Sequence, residues 1–312
     1  MNKDYLNKVI QGDAVEVMKK LEDNSIDLTV TSPPYDAIRT YKGKITDKIY
    51  DDHFSFDFVN MAKELFRITR EGGLVVWVVN DQVVDGGETG NSYRMVLKFQ
   101  ELGFKIYDTM IYHKNSSPFP ESSRYSQVTE FMFILLKGKT PNIVNLLKDK
   151  PNKWAGSSPY GKRTIRNKEG ELKETGETFV VNDFGTRYNC WYINCGAGFS
   201  SKDKEAFQHP AIFPEELADS HILSWSNENS VVFDPMCGSG TTLKMAKKNN
   251  RSFIGIDINQ EYCDLSNLRL EKVIPYTISS PNPKTKFIVS REETLAKRKI
   301  NKDKNKENKK KA

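Results

Sequence analysis

The sequence predicts an α/β protein built on a mostly parallel sheet with helices on both faces. Three observations carry this. Short β-branched runs alternate with apolar residues at helical spacing over most of the chain. The longest apolar runs, 74–79 and 131–136, have six residues each, which suits buried strands and falls far short of the ~20 that a bilayer helix needs. Gly, Pro, Asn and Asp punctuate the runs.

The elements follow in order. A strand over 8–11 ends at Gly12-Asp13, and Ala14, Val17, Met18 and Leu21 then mark a helical face. The strand 26–31 stops at Ser32-Pro33-Pro34-Tyr35, because two prolines cannot continue a central strand. A helix over 56–69, a Gly72-Gly73 turn and a strand over 74–80 come next, then a helix over 93–102 and strands over 104–112 and 125–136. From 139 to about 205 the pattern breaks into Gly, Ser, Pro, Asn and charged residues interleaved with Trp154, Tyr160, Tyr188, Trp191 and Tyr192, which predicts an inserted region. Order returns with a helix over 215–224, a strand over 230–233, the turn Asp234-Pro235-Met236-Cys237-Gly238-Ser239-Gly240, a helix over 241–249 and a strand over 252–257. Pro, Ser, Asn and Lys dominate beyond 275, and the end of the chain reads as a disordered basic tail.

The 312 residues, 38% apolar, are enough for one or two domains with a full core. The net charge of +6 resides in residues 291–312, with ten Lys/Arg against four Asp/Glu, so the rest of the chain is balanced. Between 139 and 205 twelve Lys/Arg stand against eight Asp/Glu, a local excess. A polar N-terminus without a secretory apolar stretch and only four cysteines predict a reduced cytoplasmic protein with no membrane partner. Cys190 and Cys195 have no second ligand pair at zinc spacing, so no metal is expected.

Two segments carry chemistry. VVFDPMCGSGTT is a strand, a glycine turn and a helix start, an arrangement that turns backbone N–H groups toward a ligand. Asp257 ends the next strand seventeen residues after Gly240, where ribose hydroxyls lie in such folds. No G-x-x-x-x-G-K-[ST] is present and Leu243 replaces a third dinucleotide glycine, so a nucleoside without phosphates fits better than NAD or ATP. The second segment, Ser32 to Tyr35, offers a hydroxyl, a rigid turn with open carbonyls and an aromatic ring. An exocyclic amino group donates two hydrogens and has a delocalised lone pair. Accepting both hydrogens, on Ser32 Oγ and the Pro33 carbonyl, makes that nitrogen nucleophilic while Tyr35 stacks on the base. Taken alone, each segment also suits a structural turn.

Together, over most of 8–270, these residues resemble the amino-group DNA methyltransferases, in which DPPY, NPPY or SPPY is the catalytic motif and DP-x-x-GSGTT binds the cofactor. SPPY precedes DPMCGSGTT here, an order similar to the β class, and the flanks GDAVEVMKKLEDNSIDL and HPAIFPEEL agree. The resemblance implies a Rossmann-like S-adenosylmethionine-dependent methyltransferase fold with a circularly permuted sheet. Residues 1–138 would be its catalytic half, 139–206 a target-recognition region, 207–274 the cofactor-binding half and 275–312 a basic tail. It implies S-adenosyl-L-methionine as cofactor, with Phe233, Asp234, Pro235, Cys237, Gly238, Gly240 and Thr241 at its methionine end, Asp257 on its ribose and Asp13 at its adenine. His209, Pro210 and Phe213 belong to a segment implied to close over the methionine moiety. Ser32, Pro33, Pro34 and Tyr35 take the catalytic roles.

SPPY is typical of members that modify cytosine N4, so the implied reaction is N4 methylation of cytosine in double-stranded DNA. The alternatives are adenine N6 methylation, an RNA substrate, or a non-catalytic DNA-binding regulator on the same fold. Asp81, at the end of the neighbouring strand, is expected either to accept from Ser32 Oγ or to cap a helix or turn. The target base must leave the duplex, at a cost of about a few kcal/mol, and DNA contacts must offset it. The candidates are Arg39, Lys42 and Lys44 in one loop, His113, Lys114 and Arg124 in another, and Arg163, Arg166 and Arg187 in the recognition region, arginine being the side chain that reads guanine. A companion restriction endonuclease and a monomeric or homodimeric state complete the expectations.

Overall fold

The computed structural model describes residues 4–34, 53–117, 123–158, 164–174 and 180–290; Tyr35, Arg39, Lys42, Lys44 and Arg163 lie outside these. The main sheet is built from β1 (Lys8–Gln11), β2 (Ile26–Thr31), β3 (Thr69–Val79), β4 (Phe104–His113), β5 (Thr129–Lys137), β6 (Cys190–Tyr192), β7 (Val231–Asp234) and β8 (Ser252–Asp257). Their spatial order is β1-β8-β7-β2-β3-β5-β4-β6. The first five in that order run parallel, β5 is antiparallel to both neighbours, and β6 lies parallel to β4. β7 and β8 come from the C-terminal part of the chain but sit between β1 and β2. The permuted, mostly parallel sheet expected from the sequence is therefore present.

The helices are α1 (Ala14–Met18), α2 (Phe58–Ile68), α3 (Asn91–Glu101), α4 (Glu215–Trp225), α5 (Thr241–Lys248) and α6 (Gln260–Glu271). β3 is buried along 72–79 because its alternate side chains enter two different cores. Val75, Trp77 and Val79 pack with α1, α2 and α3, where Trp77 lies 5.9 Å from Phe58 and 5.0 Å from Phe99 between ring centroids. Leu74, Val76 and Val78 pack with Leu217, Ile222 and Trp225 of α4 and with Leu243 and Met245 of α5. Among the described residues no helix is long and apolar enough to cross a membrane.

Two expectations change. Gly72-Gly73 does not end a turn but lies inside β3, where the register against β2 shifts between Ile26 and Leu28. Gly72, at φ +76°, absorbs the irregularity, and its carbonyl accepts from Asn142 N at 2.9 Å. Beyond 275 the chain does not go straight into a tail. Ile288–Ser290 pairs antiparallel with Asn145–Leu147, and Phe287 meets Phe184 edge-on at 5.3 Å, so the C-terminal segment packs on the inserted region. That region otherwise holds a hairpin (Thr164–Arg166 with Leu172–Glu174) and a short ribbon (Lys150–Pro151 with Phe184–Gly185), and it supplies β6 to the edge of the main sheet.

Candidate active site at the carboxyl ends of β7 and β2

β7 and β2 are neighbours at the point where the strand order reverses, which is where open α/β sheets bind ligands. Each strand runs straight into one of the two chemistry-bearing segments. Phe233 pairs with Thr29, so Asp234 and Thr31 emerge side by side, and Thr31 Oγ1 donates to Asp234 Oδ1 at 2.7 Å. Thr242 Oγ1, at the start of α5, reaches the Val30 carbonyl at 3.0 Å. Ser32 is half-buried, Pro33 buried and Pro34 half-buried, directly beyond this junction. The serine-proline turn and the glycine turn therefore share one rim of the sheet.

The glycine turn is tightly specified. Gly238 (φ +50°) and Gly240 (φ +74°) both have left-handed backbone. A methyl on Gly238 would lie 2.8 Å from His209 Nε2, so the imidazole sits directly on the turn, and it meets Tyr262 edge-on at 4.4 Å. His209 Nδ1 lies within hydrogen-bond distance of both the N–H and the carbonyl of Ala211, which fixes the His209-Pro210-Ala211 bend. Phe213 is half-buried against the α4–α5 core. Gly240, the N-cap residue of α5, has no side chain with which to cap the helix, an arrangement that suits an anionic group at its first turn.

Asp234 is 1% exposed, and burial pushes its carboxyl up to about 7 against the donors Thr31, Met236 N and Thr242. Phe233 and Pro235 are buried beside it. Asp257 is buried too, and burial raises its pKa; its two oxygens accept Gly238 N and Asn259 N, each at 2.9 Å. It thus pins the glycine turn from β8. Asp13 is exposed one strand further on, after Gly12, whose N–H donates to the Asp257 carbonyl at 3.0 Å. Asp13 Oδ1 accepts Glu16 N at 3.0 Å and caps α1. Cys237 packs its thiol into the core below Gly255, where burial lifts its pKa, so it offers the turn its backbone and not its sulfur.

The Asp81 carboxylate is engaged elsewhere than at Ser32. It accepts Ser92 N at 2.9 Å, Ser92 Oγ and Thr89 Oγ1 at 3.2 Å, replacing the side-chain cap that Gly90 cannot give α3. Its bonds support the capping alternative over the relay. The DNA candidates divide. His113 ends β4 on the same rim, its ring 5.2 Å from Tyr192 of β6. Lys114 pairs with Glu130 at 2.9 Å, and Arg124 donates to the Gly86 carbonyl at 2.8 Å. Arg166 is exposed on its hairpin. Arg187 is committed: its guanidinium takes Asp149 in a two-pronged ion pair and reaches Ser220 Oγ at 3.4 Å, so the fork expected to read guanine faces the protein.

Sequence reasoning missed Arg269, whose side chain is fully buried in α6. It donates to the Ser239 carbonyl and Thr241 Oγ1 on one side, and to Asp203 and Glu215, each at 3.1 Å, on the other. Lys244 completes the network at 2.7 Å from both carboxylates. Nothing local marks Arg269, because its partners lie 28 to 68 residues away. Ile258, 64% exposed immediately after Asp257, is an apolar residue on the rim that was also passed over.

Comparison with known proteins agrees with this geometry. The DNA methylase family of N6 and N4 methyltransferases matches residues 26–268. Orphan methyltransferase M.BamHII of Bacillus amyloliquefaciens is 51% identical over 256 residues, covering 82% of this chain and 92% of the relative. Type II methyltransferase M.BglII of Bacillus subtilis is 27% identical over 292 residues, 91% of this chain and 74% of its own. Among solved structures, the PvuII DNA methyltransferase (cytosine-N4-specific) superposes with a TM-score of 0.59 at 18% identity, over 84% of this chain and 85% of its own. The DNA modification methylase TTHA0409 of Thermus thermophilus, complexed with S-adenosyl-L-methionine, gives 0.57 at 23% identity, over 85% and 93%. The Rossmann-like fold is that of methyltransferases whose methyl donor is S-adenosyl-L-methionine, and the chain belongs to the N6/N4 DNA methylase family.

Proposed function

We propose that this methyltransferase transfers the methyl group of S-adenosyl-L-methionine to the exocyclic N4 amino group of a flipped-out cytosine in duplex DNA, at a short specific site. The observation that carries the reading is the bond from Thr31 to Asp234, which brings the Ser32-Pro33 turn and the glycine turn onto one rim. The residues present suit the cofactor. The uncapped start of α5 suits its carboxylate, buried Asp257 at the strand end suits a ribose hydroxyl, and Ile258 beside it suits an apolar ring face.

When bound, the cofactor supplies an electrophilic methyl on a sulfonium. Ser32 Oγ and the Pro33 carbonyl accept the two amino hydrogens and draw the nitrogen lone pair out of conjugation. A serine hydroxyl is a weak base, so Ser32 orients and polarises, and the proton leaves with or after methyl transfer. Tyr35 is assigned the stacking role, with His113, Lys114, Arg124 and Arg166 as the proposed DNA contacts among the described residues. Serine in place of aspartate in the motif favours cytosine; adenine presents the same amino-imine edge and is the second reading. The orphan designation of M.BamHII weighs against the expected companion nuclease, and the proposal requires none.

The test is to incubate the protein with DNA and labelled S-adenosyl-L-methionine and digest the product to nucleosides. N4-methyldeoxycytidine is expected. N6-methyldeoxyadenosine would replace the base assignment with the second reading, and DNA that is bound but unmodified would refute both.

A further inference from the structure

We propose that Thr31 is a positioning residue for methyl transfer, a hydroxyl latch that holds the catalytic turn against the cofactor strand through Asp234. The proposal rests on the cofactor assignment above.

Thr31 is the last residue of β2 and immediately precedes Ser32. It is fully buried, Asp234 is 1% exposed, and their 2.7 Å bond joins residues 203 positions apart. The same carboxylate oxygen accepts Met236 N at 3.2 Å, from the entrance of the glycine turn. The Thr242 hydroxyl faces the carboxylate and favours its ionised form, and it donates its hydrogen to the Val30 carbonyl, which ties α5 to the same strand. One buried acceptor therefore gathers donors from the catalytic strand and the cofactor turn. A charge-assisted bond in such a site is stronger and more directional than packing.

β2 contains its own comparison. Thr29, two residues earlier, is equally buried, but its hydroxyl has no hydrogen-bond partner among the described residues. If β-branched shape were all that this strand required, the two threonines would be equivalent.

The latch depends on the state of Asp234. Burial raises its pKa, and the Thr31 donor favours its ionised form. The titratable groups facing it are Asp257 from β8 and Cys237 of its own turn; β2 and α5 present only the hydroxyls of Thr31 and Thr242. A cationic cofactor beside the turn also favours the carboxylate, so cofactor binding releases a proton near neutral pH and strengthens the hold on the Ser32 turn.

The experiment compares Thr31→Val, Thr31→Ser, Thr29→Val and Asp234→Asn by calorimetric titration with S-adenosyl-L-methionine from pH 6 to 8.5 and by single-turnover methyl transfer. Wild-type affinity should rise with pH and level off above about 7. Thr31→Val should move that midpoint up by about one pH unit and lower the single-turnover rate at saturating cofactor about tenfold. Thr31→Ser should stay within about threefold of wild type, Thr29→Val should match it in both measurements, and Asp234→Asn should lose the pH dependence. A Thr31→Val enzyme with wild-type rate and midpoint, an equal loss in Thr29→Val, or pH dependence surviving in Asp234→Asn would overturn the latch. If Thr31→Val does not fold, the Asp234→Asn titration alone decides. A wild-type protein that binds no cofactor would instead overturn the cofactor reading, and the latch with it.

Discussion

Gly240→Ala measures how far the glycine turn depends on a residue without a side chain. Gly240 sits at φ +74° as the N-cap of α5, a conformation that costs an L-residue about 1–2 kcal/mol. The new methyl would lie 2.7 Å from Ser266 Oγ, 2.9 Å from Ser266 Cβ and 3.2 Å from Ser266 Cα. The Cα is backbone of α6 and cannot swing aside, so the turn or the helix must shift. Ser266 Oγ donates to the Gly238 carbonyl at 2.7 Å, and a shift that breaks this bond leaves a buried acceptor unsatisfied, at about 1–3 kcal/mol. The two effects together come to about 2–5 kcal/mol. Urea unfolding should show a loss of that size, and calorimetry should show cofactor affinity reduced about tenfold or more. Wild-type stability and affinity in Gly240→Ala would refute this account of the turn.

Two further predictions concern residues away from the reacting atoms. Asp81→Asn weakens the cap on α3 and should lower stability by about 1–2 kcal/mol in urea unfolding while keeping turnover within about threefold of wild type; a hundredfold loss of turnover without loss of stability would restore the relay to Ser32. His221 is fully buried, stacked on Trp191 at 4.5 Å, and burial, followed by the Arg187 charge, depresses its pKa from 6.5 to about 3. Its neutral ring contributes fully above pH 6.5, and that contribution is lost as pH falls toward 3, about 3 kcal/mol over the first two units. Melting temperature measured against pH should therefore fall less steeply on the acid side in His221→Phe, and parallel curves would contradict the assignment.

The strands that frame the site were legible because punctuation and periodicity agree there. Gly12-Asp13 and Ser32-Pro33 end β1 and β2 at the expected residues, Gln11 and Thr31, and β8 spans the expected 252–257. Gly72-Gly73 misled, because a glycine pair serves a bulge within a strand as readily as a turn between elements. β6 and the pairing of Ile288–Ser290 with Asn145–Leu147 could not be read, since three-residue strands have no usable period and are stabilised by partners distant in the chain. The same limit hid Arg269 and the commitment of Arg187 to Asp149. A sequence shows that a charge is present but not which distant carboxylate neutralises it.

The central claim is that Ser32 acts on a base held beside the glycine turn. Its most direct measurement is labelled-methyl transfer to DNA by wild type and by Ser32→Ala, with cofactor affinity determined in parallel. Loss of one acceptor at the reacting nitrogen should lower turnover about 10²–10³-fold while cofactor affinity stays within about threefold, because Ser32 follows the end of β2 and makes no part of the glycine turn. Unchanged turnover in Ser32→Ala would contradict the account.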